Sequence, residues 1–341
     1  MKLESELRQD MITGEWVVVA MGRARRPNKF VKQRPQQVPG EPKKNCPFES
    51  LIPNTLLVYD QRGMTVEDRA YLRGSWWVQV VPNMYPAFGR HGVCSVERTV
   101  GPYHLRDGVG FHEVVITRDH TRSIAHMTPE EVAIILRAYR ERYLVIQDDN
   151  CVAYISIFHN HGSTAGASIS HPHSQIIAIP VIPPDVGRSL KGSLEYFKQH
   201  KTCVHCTMIA FERKEKTRVI YENDHFIIIC PYVSRSAFEI RIFPKVHEPQ
   251  FEKIKDDEIT FLAPALQKAL FALRRSLANP DHNFFIHTAP NSGGPSVGHY
   301  HWHIEIIPKT AIWAGFEIGT GIEISTISPE AAAQFLRKSK G

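Results

Sequence analysis

The chain has 341 residues, 43% of them hydrophobic and 22% charged, with a formal net charge of +6. This length and composition allow a globular protein of one large or two ordinary domains and exclude a disordered or fibrous chain. No run approaches the roughly 18 apolar residues that cross a bilayer, and the charged opening MKLESELRQD has no apolar core of a secretory leader, so a cytoplasmic protein with no membrane partner is expected.

Residues 23–44, RARRPNKFVKQRPQQVPGEPKK, read as an extended basic loop. Phe30 is the one aromatic inside it, too few to stack bases, so nucleic acid is not expected as a partner. CPFE (46–49) makes a cysteine corner. FHEVVITRDH (111–120) reads as a strand closing on His120. A helix follows: Thr128 is an N-cap, Pro129 sits at N1 and Glu131 completes a capping box. Its apolar stripe is Val132, Ile135, Leu136, Tyr139 and Tyr143. The strand YISIF (154–158), the loop HNHGSTAGAS and the strand HPHSQIIAIP (171–180) come next. Residues 181–202 read as a linker.

The same order then returns. CVHC (203–206) is a second cysteine corner, and FEIRIFPKVH (238–247) matches the 111–120 strand at an offset of 127. A helix capped at Asp256 carries Ile259, Leu262, Leu266, Leu270 and Leu273, with Pro264 inside it. NFFIH (283–287), the loop NSGGPSVG and HYHWHIEIIP (299–308) follow, the last aligned with 171–180 at an offset of 128 through their closing prolines. The pattern predicts a mixed α/β (α+β) fold of two tandem repeats, 1–185 and 186–341, each an antiparallel sheet with a packed helix.

Alternate residues of a strand share a face, so His171, His173 and Gln175 should point together. Two uses of such histidines compete: metal ligation and nucleophilic attack on phosphorus. Gly166 and Ser168 lie just before, where backbone N–H groups and a hydroxyl can hold phosphate oxygens. The six cysteines are too few for a disulfide framework. Cys203 and Cys206 instead have metal-ligand spacing, and with His247 and one histidine among His299, His301 and His303, taken as His301, they make a four-ligand zinc set. The corresponding set in the first repeat is Cys46, Glu49, His120 and His171, with a carboxylate in place of the second thiol. A zinc-supported nucleic-acid-binding protein is the alternative from another functional class.

GASISHPHSQ (166–175) resembles the active-site motif of the galactose-1-phosphate uridylyltransferases, the nucleotidyltransferase branch of the histidine-triad superfamily. ELRQDMITGEWVVVAMGRARRP (6–27), NCPF (45–48), VPNMYPAF (81–88), TRDH (117–120), FHN (158–160) and AGFEIGTG (314–321) fall in the order of that family. The resemblance implies histidine-triad-like repeats and a ping-pong reaction. His173 would attack UDP-glucose, release glucose 1-phosphate, and pass UMP to galactose 1-phosphate. Gln175, Ser168, Arg23 and Arg26 would neutralise phosphates, Asn83, Phe158 and Asn160 would contact nucleoside or phosphate, and Phe316 and Glu317 the hexose. It further implies structural zinc, one or two ions per chain, and a homodimer. Met84 stands where the family often has Asp, and Ala311 and Glu323 where it has Lys and Gln. AGFEIGTG and the Cys203–Cys206 knuckle also resemble a sister group, the ADP-glucose phosphorylases, which use phosphate as acceptor. Pro172 between the histidines resembles the uridylyltransferases instead.

Overall fold

The computed structural model describes residues 5–24, 42–67, 76–90, 93–290 and 297–338. In chain order the strands are β1 (Glu6–Gln9), β2 (Trp16–Val19), β3 (Leu57–Asp60), β4 (Trp76–Pro82), β5 (Arg98–Val100), β6 (Tyr103–Leu105), β7 (Phe111–Thr117), β8 (Tyr154–His161), β9 (His173–Ile179), β10 (Val219–Glu222), β11 (Phe226–Ile229), β12 (Ile240–Pro244), β13 (His282–His287), β14 (His303–Pro308) and β15 (Ile324–Ser325). Ten of them form one sheet in the order β10-β11-β12-β14-β13-β8-β9-β7-β4-β3, and every neighbouring pair in it is antiparallel.

This order is the same sequence of strands run twice. Counted from the centre, each half places its fourth strand first, then its fifth, third, second and first. The halves meet where β8 pairs with β13, with Phe158 opposite Phe285 and Asn160 opposite Asn283. The two halves thus share one antiparallel strand order and are joined edge to edge.

The long helices Pro129–Ile146 and Asp256–Leu277 lie side by side on one face of the sheet. They form one core with both halves of the sheet. Val132, Ile135, Leu136 and Tyr139 join Leu262, Leu266, Leu270 and Leu273 over Ile155, Ile157, Ile176, Phe284, Ile304 and Ile306. Each such aliphatic side chain contributes about 1.5–3 kcal/mol on burial, so the shared core binds the repeats together. The capping box forms as the sequence predicts: Glu131 N–H donates to Thr128 Oγ1 at 3.3 Å and Thr128 N–H to Glu131 Oε2 at 2.8 Å. The second helix starts one residue differently. Lys255 is its cap and Asp256 its first helical residue.

The segment 181–202, expected as a linker, is mostly helical, because Pro184–His200 is a helix. Its glycines and flanking prolines mask it in the sequence, and the boundary drawn at 185/186 falls in its first turn. The offset for the last strand is also two residues longer than the closing prolines suggest. Phe158 pairs with Gln175 in the first repeat and Phe285 with Glu305 in the second, so His301 is the counterpart of His171, and His303 of His173. Cys94 and Cys151 form a disulfide, leaving Cys46, Cys203, Cys206 and Cys230 as thiols. Among the described residues no helix is long and apolar enough to cross a membrane.

The helix Pro184–His200 packs closely on the N-terminal segment at one point. A Cβ on Gly192 would lie 1.6 Å from the Ile12 carbonyl oxygen, whereas one on Gly187 would meet nothing within 4 Å. Gly192→Ala is expected to cost about 1–3 kcal/mol, and Gly187→Ala to stabilise by up to about 1 kcal/mol. Chemical denaturation of the two variants checks this, and a Gly192→Ala protein as stable as the parent would contradict it.

Candidate functional site

The face of the sheet turned away from the two long helices carries the histidine chemistry. Alternation in β9 sends Ile176 and Ala178 into the core and leaves His173 and Gln175 on the other side. β8 adds Phe158 and Asn160 to that face, and β7 adds His112. Ser174 points backward, where its hydroxyl meets Tyr139 Oη at 2.5 Å and His159 Nδ1 at 3.0 Å.

Backbone carbonyls decide which nitrogen each histidine presents. His173 Nδ1 lies 2.8 Å from the His171 carbonyl oxygen. A carbonyl only accepts, so Nδ1 carries the proton and Nε2 keeps a lone pair. Burial lowers the His173 pKa against that hydrogen bond, which favours the neutral ring. Phe48 packs edge-on against both His171 and His173, at ring distances of 5.7 and 5.2 Å, and limits rotation.

His112 was not singled out in the sequence, although it shares the alternation of its strand. Its Nδ1 accepts from Ala87 N–H at 3.1 Å, so its Nε2 carries the proton, which faces Gln175 Oε1 at 2.7 Å. The Gln175 amide is thereby turned with its carbonyl to His112 and its NH2 group away from it. Asn83 sits beside this pair, its Nδ2 3.0 Å from His112 Nε2 and its Oδ1 accepting from Tyr85 N–H at 2.8 Å.

Just behind His173, four donors converge. His171 Nε2–H donates to the Thr117 carbonyl at 2.7 Å, so its Nδ1 lone pair faces Cys46 Sγ at 3.5 Å and His120 Nδ1 at 3.2 Å. Glu49 Oε1 lies 2.5 Å from His120 Nδ1 and 3.6 Å from His171 Nδ1. The second repeat repeats the plan. His301 Nε2 donates to the Pro244 carbonyl and His247 Nε2 to that of Gly298, at 2.9 and 2.8 Å. Their Nδ1 atoms face Cys206 at 3.6 and 3.4 Å, and Cys203 lies 3.9 Å from His301 Nδ1. Apart from the 2.5 Å contact of Glu49 with His120, which is a hydrogen-bond distance, these spacings resemble the edges of a tetrahedron built on metal–ligand bonds of about 2.0–2.3 Å. Carbonyls that fix the far nitrogen are the usual support of ligating histidines. Both four-residue sets are able to hold a metal ion.

The second repeat departs from the first beyond its metal corner. His303 Nδ1 faces the His301 carbonyl at 3.1 Å, just as His173 faces His171. The counterparts of Gln175 and His112, however, are Glu305 and Glu239. Arg241 bridges both, at 3.2 and 3.0 Å, and Arg235 adds a contact to Glu305 at 3.0 Å. Burial would raise Glu305, but Arg241 and Arg235 hold it well below the usual carboxylate range. Ion pairs occupy the positions that in the first repeat present amide and imidazole.

The remaining expected residues stand as follows. Gly166 adopts a left-handed conformation at φ 89°, and its N–H is used inside the loop, donating to Ser163 O at 3.1 Å. Ser168 is exposed. Arg23 lies in a short helical turn, Met21–Ala24, and Arg26 lies outside the described residues. Phe316 and Glu317 lie on the short helix Gly315–Thr320. Phe316 is half exposed, and Glu317 accepts from Ala314 N–H at 3.1 Å at the helix start.

Comparison with known proteins adds the following. Residues 1–183 match the family described as galactose-1-phosphate uridyl transferase, N-terminal domain, and residues 108–338 match a domain of unknown function, DUF4921. An ADP-glucose phosphorylase from Arabidopsis thaliana is 34% identical, over 98% of this chain and 92% of its own. A galactose-1-phosphate uridylyltransferase from Thermotoga maritima is 26% identical over 98% of both chains. Among solved structures, an Arabidopsis thaliana ADP-glucose phosphorylase with bound ADP-glucose superposes with a TM-score of 0.79 at 32% identity, covering 99% of this chain and 100% of that one. A uridylyltransferase superposes with a TM-score of 0.74 at 26% identity, covering 98% and 97%.

Proposed function

The chain belongs to the galactose-1-phosphate uridylyltransferase family, and we propose that it moves a nucleotidyl group from a nucleoside diphosphate hexose through a covalent bond to His173. The observation that carries this reading is the tautomer of His173. Its Nδ1–H is tied to a carbonyl, so Nε2 is the nucleophilic nitrogen. In the first step Nε2 attacks the α-phosphorus. An N–P bond forms, the bond from that phosphorus to the bridging oxygen breaks, and hexose 1-phosphate leaves with the oxygen. In the second step an acceptor phosphate oxygen attacks the same phosphorus, the N–P bond breaks, and the imidazole returns to its starting state.

The NH2 group of Gln175, aimed by His112, would donate to the α-phosphoryl oxygens as charge builds there. Arg23, Arg26, Ser168, Asn83, Phe158 and Asn160 would hold the rest of the nucleotide, and Phe316 and Glu317 the hexose. The two four-ligand corners would hold zinc. The first lies immediately behind His173 and would fix His171, whose carbonyl orients the nucleophile, so a metal there would act through the frame and not on the substrate.

ADP-glucose as donor and phosphate as acceptor is the pairing we place first. It is supported by 34% identity to an ADP-glucose phosphorylase along nearly the whole chain, by the Cys-x-x-Cys corner of the second repeat, and by Met84. UDP-glucose with galactose 1-phosphate, the pairing expected from the active-site motif, is the second reading. It is supported by Pro172 between the histidines and by the uridylyltransferase relatives.

Incubation with ADP-glucose or UDP-glucose labelled in the nucleotide, without acceptor, is expected to leave acid-labile label on the protein, and His173→Ala to leave none. Label retained by His173→Ala would remove this nucleophile. Adding phosphate or galactose 1-phosphate in turn then identifies the acceptor, and faster release by galactose 1-phosphate would establish the second reading. Gln175→Leu is expected to slow labelling about 10²- to 10³-fold, and His112→Leu about 10- to 100-fold, measured by single-turnover quench. A His112→Leu protein with parental rates would show that the amide is aimed by other groups. Elemental analysis is expected to find two zinc ions per chain, one of them lost in Cys203→Ser with a fall in thermal midpoint. An unchanged zinc content in that variant would rule out the second corner.

A further inference from the structure

The loop that precedes the histidine strand, residues 162–168, belongs to the first repeat, but the second repeat holds it. Asp281 Oδ2 accepts from Thr164 N–H at 2.8 Å and from Thr164 Oγ1–H at 2.6 Å. Asn283 Nδ2 donates to the Ala165 carbonyl at 2.7 Å and to Asn160 Oδ1 at 2.8 Å. The approach is close enough to demand glycine. Gly162 has φ 85°, and a Cβ there would lie 1.9 Å from Asp281 Oδ1.

These contacts do more than attach a loop. Each NH2 hydrogen of Asn283 has an acceptor, so its amide orientation is fixed. The bond to Asn160 Oδ1 in turn fixes the Asn160 amide, with its NH2 group as the end left for a ligand. That group lies toward the loop, as a Cβ on Gly166 would be 3.7 Å from Asn160 Nδ2. Within the loop, Ala165, Gly166 and Ala167 already use their N–H groups on Gly162 and Ser163 carbonyls. The loop is thus a closed turn with a set shape, and its contacts with the second repeat set where that turn sits. Asp281 and Asn283 supply that position from across the β8–β13 seam.

We infer that Asp281 and Asn283 are positioning residues: through Thr164, Ala165 and Asn160 they set the loop 162–168 and the Asn160 amide over the nucleophile for the phosphates of the nucleotide. This rests on the reading of His173 as the nucleotidylated residue. Neither residue need touch the reacting atoms. Displacement of binding groups by about 1 Å slows a reaction by up to about 100-fold, so the effect should appear in the rate of His173 labelling.

The test uses the full chain with Asn283→Leu, Asp281→Ala and Asp281→Asn. Single-turnover labelling by ADP-glucose and by UDP-glucose is expected to slow about 10- to 100-fold in the first two. Asp281→Asn keeps an oxygen for both Thr164 donors and is expected to recover to within about tenfold of the parent. Hydrogen exchange at the amides of 163–168 is expected to accelerate in Asn283→Leu and Asp281→Ala, while exchange in β9 and in the helix Pro129–Ile146 stays at parental rates. That local pattern separates positioning from a general loss of stability, which would speed exchange everywhere and would not be rescued by Asp281→Asn. Absence of label on the parent protein would overturn the proposed function, but the exchange experiment needs no turnover. Parental exchange at 163–168 in both variants, or parental labelling rates with a loosened loop, would overturn the inference.

Discussion

Two hydrogen bonds to backbone carbonyls decide which nitrogen each histidine of the site presents. His171 gives its Nε2 proton to Thr117, and His173 gives its Nδ1 proton to His171. An imidazole has two nitrogens and one proton when neutral, so each bond determines what the opposite nitrogen does. In His171 the free lone pair turns back to Cys46, Glu49 and His120. In His173 it turns outward. The alternation of the strand places both rings, but only the carbonyls leave one with the inward lone pair that a ligand needs and the other with the lone pair that the proposed nucleophile needs. The four-donor corner and the proposed reaction face are thus joined through a single peptide unit.

The second repeat makes the same two bonds from His301 and His303, yet its surroundings differ. Glu239 and Glu305 replace an imidazole and an amide, and Arg235 and Arg241 neutralise them. Two buried carboxylates without partners would be costly, so the arginines are needed once the acids are there. The polar face of the second repeat is therefore committed internally, and its metal corner remains. Its other contribution is architectural: it covers the open edge of β8 and extends the hydrophobic core beneath the first repeat.

Much of this was legible in the sequence. The capping box at Thr128 and the face shared by His173 and Gln175 follow from local periodicity, and the tandem order and both four-donor sets from residue types that recur in the same order in the two halves. What the sequence concealed depends on pairing between distant segments. His112 matters only because β7 lies beside β9. Asn283 matters only because β13 lies beside β8. The two-residue error in aligning the last strands has the same origin: prolines mark where strands end, not which residues face each other. The helix at 184–200 was hidden for a different reason. Gly187 and Gly192 lower its propensity, and at Gly192 close packing on Ile12 requires the small residue.

The seam at β8 and β13 has one more consequence. Two identical chains meeting along that seam would form a symmetric pair whose halves separate on dilution and change together with every mutation. Here one polypeptide encodes both halves, so the seam is independent of concentration and each half is free to diverge. Asp281 and Asn283 hold the loop of the other repeat, and the positions of Arg241, Glu239 and Glu305 are taken in the first repeat by Val114, His112 and Gln175. Carrying both halves on one chain permits a division of labour within one sheet.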